Sequence, residues 1–277
     1  MHSTTRVILL AAAAVILLSA SPAARAQETE NERKFSYIPG SPNGPANWSS
    51  LNRPFWDACN NESNQAKQSP IDLADDRVKP MLNLGFLDYS YQPAQATIEN
   101  RGHDIEVKFT ENAGRLMING KPYQLMQLHW HTPAEHTVNG RRYDMELHLV
   151  HSDGNNNAVI GNLYEIGNPD PFLLSLEPYI RILIANRTDN SKPMPIGKVD
   201  PSIAKSRDAV YYRYNGSLTT PACTEGVIWT VFKRTQTVAK YQLDLLRDAV
   251  DDGYENNARP LQKLNNRTIS IFKPSIL

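Results

Sequence analysis

The stretch Gln127-Leu-His-Trp-His131, together with Glu146-Leu-His-Leu-Val150 further along the chain, decides how this sequence is interpreted. Residues two apart in an extended strand point to the same side, so His129 and His131 share one face of the first stretch. His148 lies on the matching face of the second stretch. Three imidazoles that face one point are typical of an open zinc site, whose fourth position is left for water. The spacing therefore predicts a catalytic zinc centre on two strands.

Two polar residues share the predicted strand faces of these histidines. A metal-bound imidazole usually needs a hydrogen-bond acceptor on its other ring nitrogen, and Gln127 and Glu146 are placed to be those acceptors. A single histidine on an apolar strand is more often a core residue with satisfied hydrogen bonds than a ligand. His136 and His151 are interpreted in that way.

The composition is that of an ordinary globular protein. The chain has 277 residues, with 29 Lys and Arg against 29 Asp and Glu, so its formal net charge is zero. This length allows one large domain with a sizeable core. A nucleic-acid surface is normally marked by clustered Lys and Arg, which this sequence lacks, so no nucleic-acid partner is expected.

The first 26 residues differ from the rest of the chain. Arg6 precedes an apolar run from Val7 to Leu18, and Ala24-Arg-Ala26 fits the small-residue pattern of signal-peptidase cleavage. A membrane anchor is the alternative, but a membrane span takes ~20 apolar residues and this run is shorter. We therefore predict a secretory signal peptide at residues 1–26 and one mature domain at residues 27–277, with no membrane span in the mature chain.

The cysteines and sequons also fit the secretory route. The chain has two cysteines, Cys59 and Cys223, and a pair of cysteines in a secreted protein predicts one disulfide. Asn-x-Ser/Thr sequons begin at Asn47, Asn61, Asn186, Asn215 and Asn266. They indicate a glycoprotein.

Short segments of alternating apolar residues dominate the chain from Leu82 onward, which is typical of β-sheet. The predicted strands are 96–100, 104–109, 115–118, 123–131, 143–151 and 158–165. Asn119-Gly120 and Asn139-Gly140 are the strongest hairpin signals. Apolar residues at helical spacing predict helices at 171–184 and 238–250. The expected fold is mainly β with α: a single domain built on a large, twisted, mostly antiparallel β-sheet with a few short surface helices.

Several further motifs occur in one order along the chain. The most specific is the signature made of Glu135-His-Thr-Val138 and Tyr143-Asp-Met-Glu-Leu-His-Leu-Val150. The shorter ones are Gln68-Ser-Pro-Ile-Asp72, Asn100-Arg-Gly-His103 and Gly216-Ser-Leu-Thr-Thr-Pro221. Together they resemble the alpha-class carbonic anhydrases, most of all the secreted plant members, over essentially the whole predicted mature chain. One departure is Ala134, where the family usually has Ser.

The resemblance implies zinc-dependent, reversible hydration of carbon dioxide to bicarbonate and a proton, which makes the enzyme a lyase. In carbonic anhydrases, which are the standard example, bound zinc lowers the pKa of its water to about 7, and the resulting hydroxide attacks carbon dioxide. Thr219 matches the residue that accepts a hydrogen bond from this hydroxide and donates one to Glu135. Without the resemblance, Thr219 would be an ordinary strand-end threonine and Glu135 a surface charge.

Other positions match the wall of the family's carbon dioxide pocket. A small apolar substrate needs apolar walls, and each of these residues is equally well explained as core. The matching positions are Val150, Val159, Leu218, Thr220, Val227 and Trp229.

His103 matches the family's proton shuttle, an imidazole with a pKa near neutrality that carries the proton to solvent. Tyr37 matches a tyrosine that orders the waters between the metal and the shuttle. Arg101 stands where the best-known members have a small polar residue, so it is placed to alter the shuttle. By itself, His103 would be an unremarkable surface residue of a turn.

Two other functions stay open at this point. The family includes members that lost a ligand and catalysis, so a catalytically weak or silent binding or storage protein on the same fold is the alternative. An unrelated zinc hydrolase is disfavoured because the chain has no His-Glu-x-x-His motif.

The expected ligands are carbon dioxide and bicarbonate, with sulfonamides and anions as inhibitors, and the expected state is a monomer or weak homodimer. The expected location is the extracellular space or apoplast, or a plastid reached through the secretory route.

Overall fold

The computed structural model describes residues 34–60, 62–186 and 192–274. The predicted signal peptide and the sequon residue Asn61 lie outside these ranges. None of the helices within them has both the length and the apolar content that a membrane crossing requires.

Strands dominate the described residues. In chain order they are β1 (Asp72–Leu73), β2 (Val78–Pro80), β3 (Asp88–Tyr91), β4 (Ala94–Asn100), β5 (Ile105–Phe109), β6 (Gly114–Ile118), β7 (Lys121–His131), β8 (Thr137–Val138), β9 (Arg141–Arg142), β10 (Met145–Ser152), β11 (Asn157–Ile166), β12 (Met194–Val199), β13 (Tyr211–Ser217), β14 (Glu225–Phe232), β15 (Gln236–Val238) and β16 (Ile269–Phe272). The α-helices are α1 (Trp48–Leu51), α2 (Pro171–Ala185) and α3 (Lys240–Ala249). Short 3-10 helices occur at Pro45–Asn47, Asp57–Cys59, Asp75–Arg77, Leu82–Leu84 and Pro201–Ala204.

One large sheet contains most of the strands. Its neighbours follow the order β12, β4, β5, β7, β10, β11, β14, β13, β16 and β2, while β15 pairs with β11 and β3 is joined to β7 through β6. Most neighbouring pairs are antiparallel, and the parallel ones are β11 with β14, β11 with β15 and β16 with β2. Strands β1, β8 and β9 form a small separate sheet. The prediction of a mainly β, single-domain fold on a large, mostly antiparallel sheet is confirmed.

Both predicted hairpins are present. Asn119 and Gly120 have φ of 52° and 75° between β6 and β7, and Asn139 and Gly140 have 51° and 75° between β8 and β9. A two-residue hairpin turn of this kind requires a positive φ at both positions, which Asn and Gly adopt at little cost.

The longest helix, α2, begins where the sequence predicts. Pro171 is its first residue, and the Asp170 carboxylate caps it by accepting a hydrogen bond from the Leu173 N–H at 2.7 Å. Helix α3 is shorter than the predicted 238–250, because Val238 pairs in β15 instead. Periodicity locates a helix more reliably than it locates the helix ends.

The central strands carry different side chains on their two faces. On one face, Leu128 and Trp130 of β7 belong to the large apolar core that also contains α2 and α3 residues, and Trp130 stacks on Phe172 with ring centroids 6.1 Å apart. The opposite face carries the predicted ligand histidines and a second, smaller apolar cluster. The sheet therefore separates a packing face from a site face.

Candidate metal centre

The pairing of β7 with β10 brings the predicted ligands together. His129 lies directly opposite His148, and His131 lies opposite Glu146. Opposite residues of an antiparallel pair point to the same face. One potential ligand nitrogen from each of His129, His131 and His148 lies within 4.8 Å of the others, and all three side chains are buried.

Each of the three histidines has one ring N–H that donates a hydrogen bond to an acceptor. His129 Nδ1 donates to Gln127 Oε1 at 2.8 Å, and His148 Nε2 donates to Glu146 Oε1 at 3.0 Å. His131 Nδ1 donates to the backbone carbonyl oxygen of residue 257 at 2.9 Å. These acceptors hold each proton on the nitrogen that points away from the other two rings.

The remaining ring nitrogens fit a zinc ion. With protons fixed in this way, His129 Nε2 and His148 Nδ1 present lone pairs to each other across only 3.2 Å. Two nitrogens on a tetrahedral zinc would lie about 3.3 Å apart, given Zn–N bonds of about 2.0 to 2.1 Å. His131 Nε2 and Glu135 Oε2 are also buried without a hydrogen-bond partner among the described residues, and they lie 3.6 Å apart. A metal cation at this point would relieve this set of facing lone pairs.

The electrostatics of the site favour the neutral form of two of these histidines, His129 and His131. Burial lowers the pKa of His129 well below its usual value, and His148 and His131 lower it further against an opposing effect of Asp104. Burial likewise lowers the pKa of His131. Neutral imidazoles at neutral pH are the form that binds a metal.

Glu146 is fixed from several sides. Burial by itself would raise the pKa of Glu146, but His136 and His148 outweigh burial and hold it well below the usual range. Its Oε2 accepts from the backbone N–H groups of Glu135 and His136 at 2.9 and 2.8 Å, and its Oε1 accepts from His136 Nδ1 at 2.7 Å. His136 Nε2 accepts from the Tyr214 hydroxyl at 2.6 Å. Although His136, Glu146 and His148 could also group around a metal, both His136 nitrogens are engaged, so His136 supports the ligand instead.

The absence of a side chain at Gly161 leaves room for the Glu146 carboxylate. Gly161 of β11 lies opposite His148, and a Cβ built on it would come within 2.7 Å of Glu146 Oε1. Any larger residue there would displace the acceptor of His148.

Glu135 and Thr219 are both buried, as their predicted roles require. Glu135 Oε1 accepts from the backbone N–H of Arg259 at 2.9 Å. The hydrogen bond from Thr219 to Glu135 that the resemblance implies is not among those of the structure. Thr220 Oγ1 is likewise buried without a hydrogen-bond partner among the described residues.

The apolar positions matched to the carbon dioxide pocket lie together. One apolar cluster contains Val150, Val159, Leu218, Val227 and Trp229. Cross-strand pairing places Val150 beside Val159 and Val159 beside Trp229. The Trp229 ring lies 4.8 Å from the His148 ring, centroid to centroid, so this cluster borders the three histidines.

His103 is buried rather than exposed. Its side chain is 1% exposed, and its ring lies 5.6 Å from that of Phe35, which in turn lies 5.5 Å from the ring of Tyr37. Both aromatic residues belong to the N-terminal arm, residues 34–60, which packs over this side of the site. His103 Nε2 lies 3.4 Å from Asp104 Oδ2.

The predicted disulfide between Cys59 and Cys223 is present. The Cys223 N–H donates to the carbonyl oxygen of Thr220 at 2.7 Å, and the Cys59 carbonyl oxygen accepts from Arg259 Nη2 at 3.1 Å. The bridge therefore ties the N-terminal arm to the loop that carries Thr219.

Two residues of the site were not found from the sequence. Asn257 supplies the carbonyl oxygen for His131, and its side chain donates to the His103 carbonyl oxygen at 2.7 Å. Arg259 holds Glu135 through its backbone and Gln68 through its side chain. Both lie in a segment without regular structure, and each makes one of these contacts through its own backbone, which leaves no signature in the residue type.

Comparison with known proteins agrees with this geometry. A family model described as eukaryotic-type carbonic anhydrase matches residues 43–273. Alpha carbonic anhydrase 7 of Arabidopsis thaliana is 44% identical over 258 residues, which are 93% of this chain and 91% of that protein. A crystal structure of dioscorin complexed with ascorbate matches with a TM-score of 0.81 and 44% identity, covering 86% of this chain and 98% of that chain. The alpha-carbonic anhydrase from Thermovibrio ammonificans in complex with the inhibitor sulfanilamide matches with a TM-score of 0.73 and 31% identity, covering 85% and 98%. The chain therefore belongs to the eukaryotic-type, or alpha-class, carbonic anhydrase family.

Proposed function

We propose that this protein catalyses the reversible hydration of carbon dioxide to bicarbonate and a proton, with Zn²⁺ held by His129, His131 and His148. The observation that carries the proposal is the set of three imidazoles whose outer nitrogens donate to fixed acceptors and whose inner nitrogens face one point. When bound there, zinc would supply a nucleophile at neutral pH by lowering the pKa of a coordinated water to about 7, an effect for which carbonic anhydrases are the standard example.

The residues around the three histidines keep them in position. Gln127, Glu146 and the carbonyl oxygen of Asn257 fix the ring orientations, and Glu146 is itself held by His136 and two backbone N–H groups. Such outer contacts tune metal affinity because they set the ligand tautomer.

The apolar cluster that contains Val150, Val159 and Trp229 would receive the substrate. Carbon dioxide is apolar and has no hydrogen-bond donor, so an apolar wall beside the histidines would suit it better than hydrogen-bonding groups. Leu218 and Val227 extend this wall. Thr220, two residues after Leu218 in the sequence, adds a buried hydroxyl.

Thr219 and Glu135 would orient the reacting oxygen. Glu135 keeps one carboxylate oxygen available because only Oε1 is used by Arg259. If the Thr219 hydroxyl donates its proton to this carboxylate, it can only accept a hydrogen bond from the nucleophilic oxygen, which would leave a lone pair of that oxygen directed at the substrate. His103 would then take up the released proton.

A second candidate function is a binding or storage protein with weak catalysis. The dioscorin relative is described in complex with ascorbate, so a chain of this fold binds a small molecule other than carbon dioxide. The burial of His103 also favours slow proton transfer. The complete ligand set, Glu135 and Thr219 favour the enzyme.

Stopped-flow hydration of carbon dioxide, with and without sulfanilamide, distinguishes the two functions. We expect the protein to hydrate carbon dioxide faster than buffer alone does, and we expect sulfanilamide to suppress this rate. Thr219→Val should lower the hydration rate. Thr235→Val, which changes the same residue type near the end of β14, is the matched control and should leave the rate unchanged. A zinc-loaded wild-type protein no faster than buffer would favour the binding function.

We also propose that the chain follows the secretory route to the extracellular space or apoplast, with a plastid as the alternative. The disulfide supports this proposal, because such bonds persist in oxidising compartments. The sequon residues Asn186 and Asn266 are exposed and could carry glycans, whereas Asn215 is exposed but lies next to Gly216-Ser-Leu-Thr-Thr of the proposed site, where a glycan is not expected. Cleavage near residue 26 and a mass loss on glycosidase treatment of the plant-expressed protein are the expected results.

A further inference from the structure

A half-open cavity lies on the packing face of the large sheet, away from the three histidines. Its volume is about 120 Å³, and its walls include the aromatic rings of Phe86, Tyr89, Tyr211 and Phe232. Tyr211 and Phe232 belong to the large apolar core, whereas the three histidines border the smaller cluster on the opposite face. The cavity is therefore separate from the candidate metal centre. We refer to it as the aromatic cavity.

Hydrogen bonds hold two of these rings in place. The Tyr89 hydroxyl donates to the Ser206 carbonyl oxygen at 3.1 Å, and the Tyr211 hydroxyl donates to the Gly85 carbonyl oxygen at 2.8 Å. Because both hydroxyls are engaged with the backbone, the apolar parts of the two rings form the wall. Walls that are already fixed lose little freedom when a ligand enters, which lowers the cost of binding.

The size of the aromatic cavity favours a ligand with a single ring. An engineered apolar cavity of about 150 Å³ binds benzene, so a half-open cavity of 120 Å³ suits one six-membered ring whose substituent points to solvent. Phe86 forms part of the rim, where it is 71% exposed and its ring lies 5.3 Å from that of Phe272, centroid to centroid. An aromatic ligand would cover this exposed ring and gain edge-to-face contacts with it.

The charges at the aromatic cavity favour an anion. Arg207 lines the cavity and is exposed, and its guanidinium has no hydrogen bond or ion pair with any residue that the structure describes. Asp208 lines the cavity too, but its Oδ1 accepts from the Val210 N–H at 3.1 Å and its Oδ2 from the Arg234 N–H at 2.8 Å. The Arg207 guanidinium is thus available for a carboxylate, which such a group binds with two parallel hydrogen bonds.

Two further cations lie against the aromatic walls. Lys205 Nζ lies 4.1 Å from the centroid of the Tyr89 ring, and the guanidinium carbon of Arg213 lies 5.3 Å from that of the Tyr211 ring. Rings that carry a cation on one face are held more firmly. Both positive charges also add to that of Arg207 in attracting an anion over a distance of ~10 Å.

We propose that the aromatic cavity binds a small aromatic carboxylic acid, with the ring inside the cavity and the carboxylate on Arg207. The proposal uses neither the three histidines nor a metal. It therefore goes beyond the hydration activity and does not depend on it.

Benzoate is the probe, and isothermal titration calorimetry measures its binding to the zinc-loaded protein and to the same protein after chelation. We expect one benzoate per chain to remain bound after the zinc is removed, with a dissociation constant in the millimolar range or below, as suits a ligand of one ring. Complete loss of benzoate binding on chelation would show that the metal is the binding site and would overturn the proposal.

Variants of Arg207 test the contact with the carboxylate. Arg207→Gln should weaken benzoate binding about 5- to 10-fold and leave unchanged the binding of benzyl alcohol, which has the ring without the charge. Arg234→Gln is the matched control, because Arg234 is exposed and lies beside Asp208 but does not line the cavity, and it should change neither affinity. Equal affinities of Arg207→Gln and the wild type for benzoate would refute this contact.

Variants of the wall test the position of the ring. Phe86→Ala, at an exposed position that the fold tolerates, should weaken the binding of benzoate and of benzyl alcohol about 3- to 10-fold. Ala209→Phe places a ring in the cavity and should abolish the binding of both probes, with thermal unfolding as the check that the variant is folded. Undiminished binding in Phe86→Ala, or in folded Ala209→Phe, would overturn the proposal.

NMR of the backbone amides locates the bound probe. Benzoate should shift the signals of Leu87 and Ala209, which line the cavity, and acetate, which has the charge without the ring, should shift them only at much higher concentration. Acetate as effective as benzoate would reduce the site to a surface anion contact and overturn the proposal. A protein that binds benzoate in this way but hydrates no carbon dioxide would refute the proposed function alone.

Discussion

Removal of the Cys59–Cys223 bridge tests how the fold supports the site. The bridge joins residues 164 apart in the sequence. In the chain-entropy treatment, closing a loop of that length is worth about 5 kcal/mol, and residual structure in the unfolded chain reduces this value. We therefore expect Cys59→Ala/Cys223→Ala to lower the free energy of unfolding by about 2 to 5 kcal/mol.

The same substitution should also slow hydration. The backbone groups of Cys223 hold the Thr220 carbonyl oxygen and the Gln68 side chain, and Cys59 accepts from Arg259, whose N–H fixes Glu135. Loosening the bridge therefore loosens both residues expected to orient the reacting oxygen.

Urea unfolding and stopped-flow hydration, run on the same samples of oxidised, reduced and doubly substituted protein, measure both effects. The reduced wild type and the double variant should agree, and reductant should have no further effect on the variant. A denaturation midpoint and a hydration rate that both survive reduction would show that the bridge supports neither the fold nor the site.

Three further predictions concern the site and its surroundings. Gln127→Leu removes the acceptor of His129 and should weaken zinc binding about 10- to 100-fold in a chelator competition. Gln124→Leu, at an exposed position of the same strand, should leave zinc affinity unchanged. Equal zinc affinities of the two variants would refute the acceptor role of Gln127. Gly161→Ala places a methyl group against Glu146 Oε1 and should also lower zinc affinity, and an unchanged affinity would mean that Glu146 can move without cost. Burial lowers the pKa of His151 to about 4, so as the pH falls the unfolded chain binds this proton before the folded chain does. The free energy of unfolding should therefore drop from about pH 6.5 and level off below about pH 4, with about 2 kcal/mol lost by pH 5. Urea unfolding as a function of pH should show that His151→Gln removes this part of the pH dependence.

The sequence predicts much of this site because strand parity is a local property. His129 and His131 needed only the two-residue period of a strand to share a face, and His148 needed only a second strand in register. Gln127 and Glu146 follow from the same period, since each lies two residues from the histidine it contacts. The Asn-Gly turns were predictable because few other residue pairs tolerate two positive φ angles.

The rest of the site depends on contacts between distant segments. Asn257 contacts His131 through a backbone oxygen 126 residues away, which no residue pattern encodes. His103 reads as a turn histidine in the sequence, and its burial results from an N-terminal arm whose Phe35 lies over the ring. Arg101 was notable in the sequence, but its ion pairs with Asp104 and Glu106 depend on how the turn between β4 and β5 folds.

The central claim is that three imidazoles hold the zinc at which hydration occurs. It is tested most directly by measuring bound zinc and hydration rate on the same samples, before and after chelation and after zinc is restored. We predict one zinc per chain, a rate proportional to zinc content, loss of both in His131→Ala, and retention of both in His151→Gln. A chain that binds no zinc at neutral pH, or one that keeps its full rate after the zinc is removed, would contradict the claim.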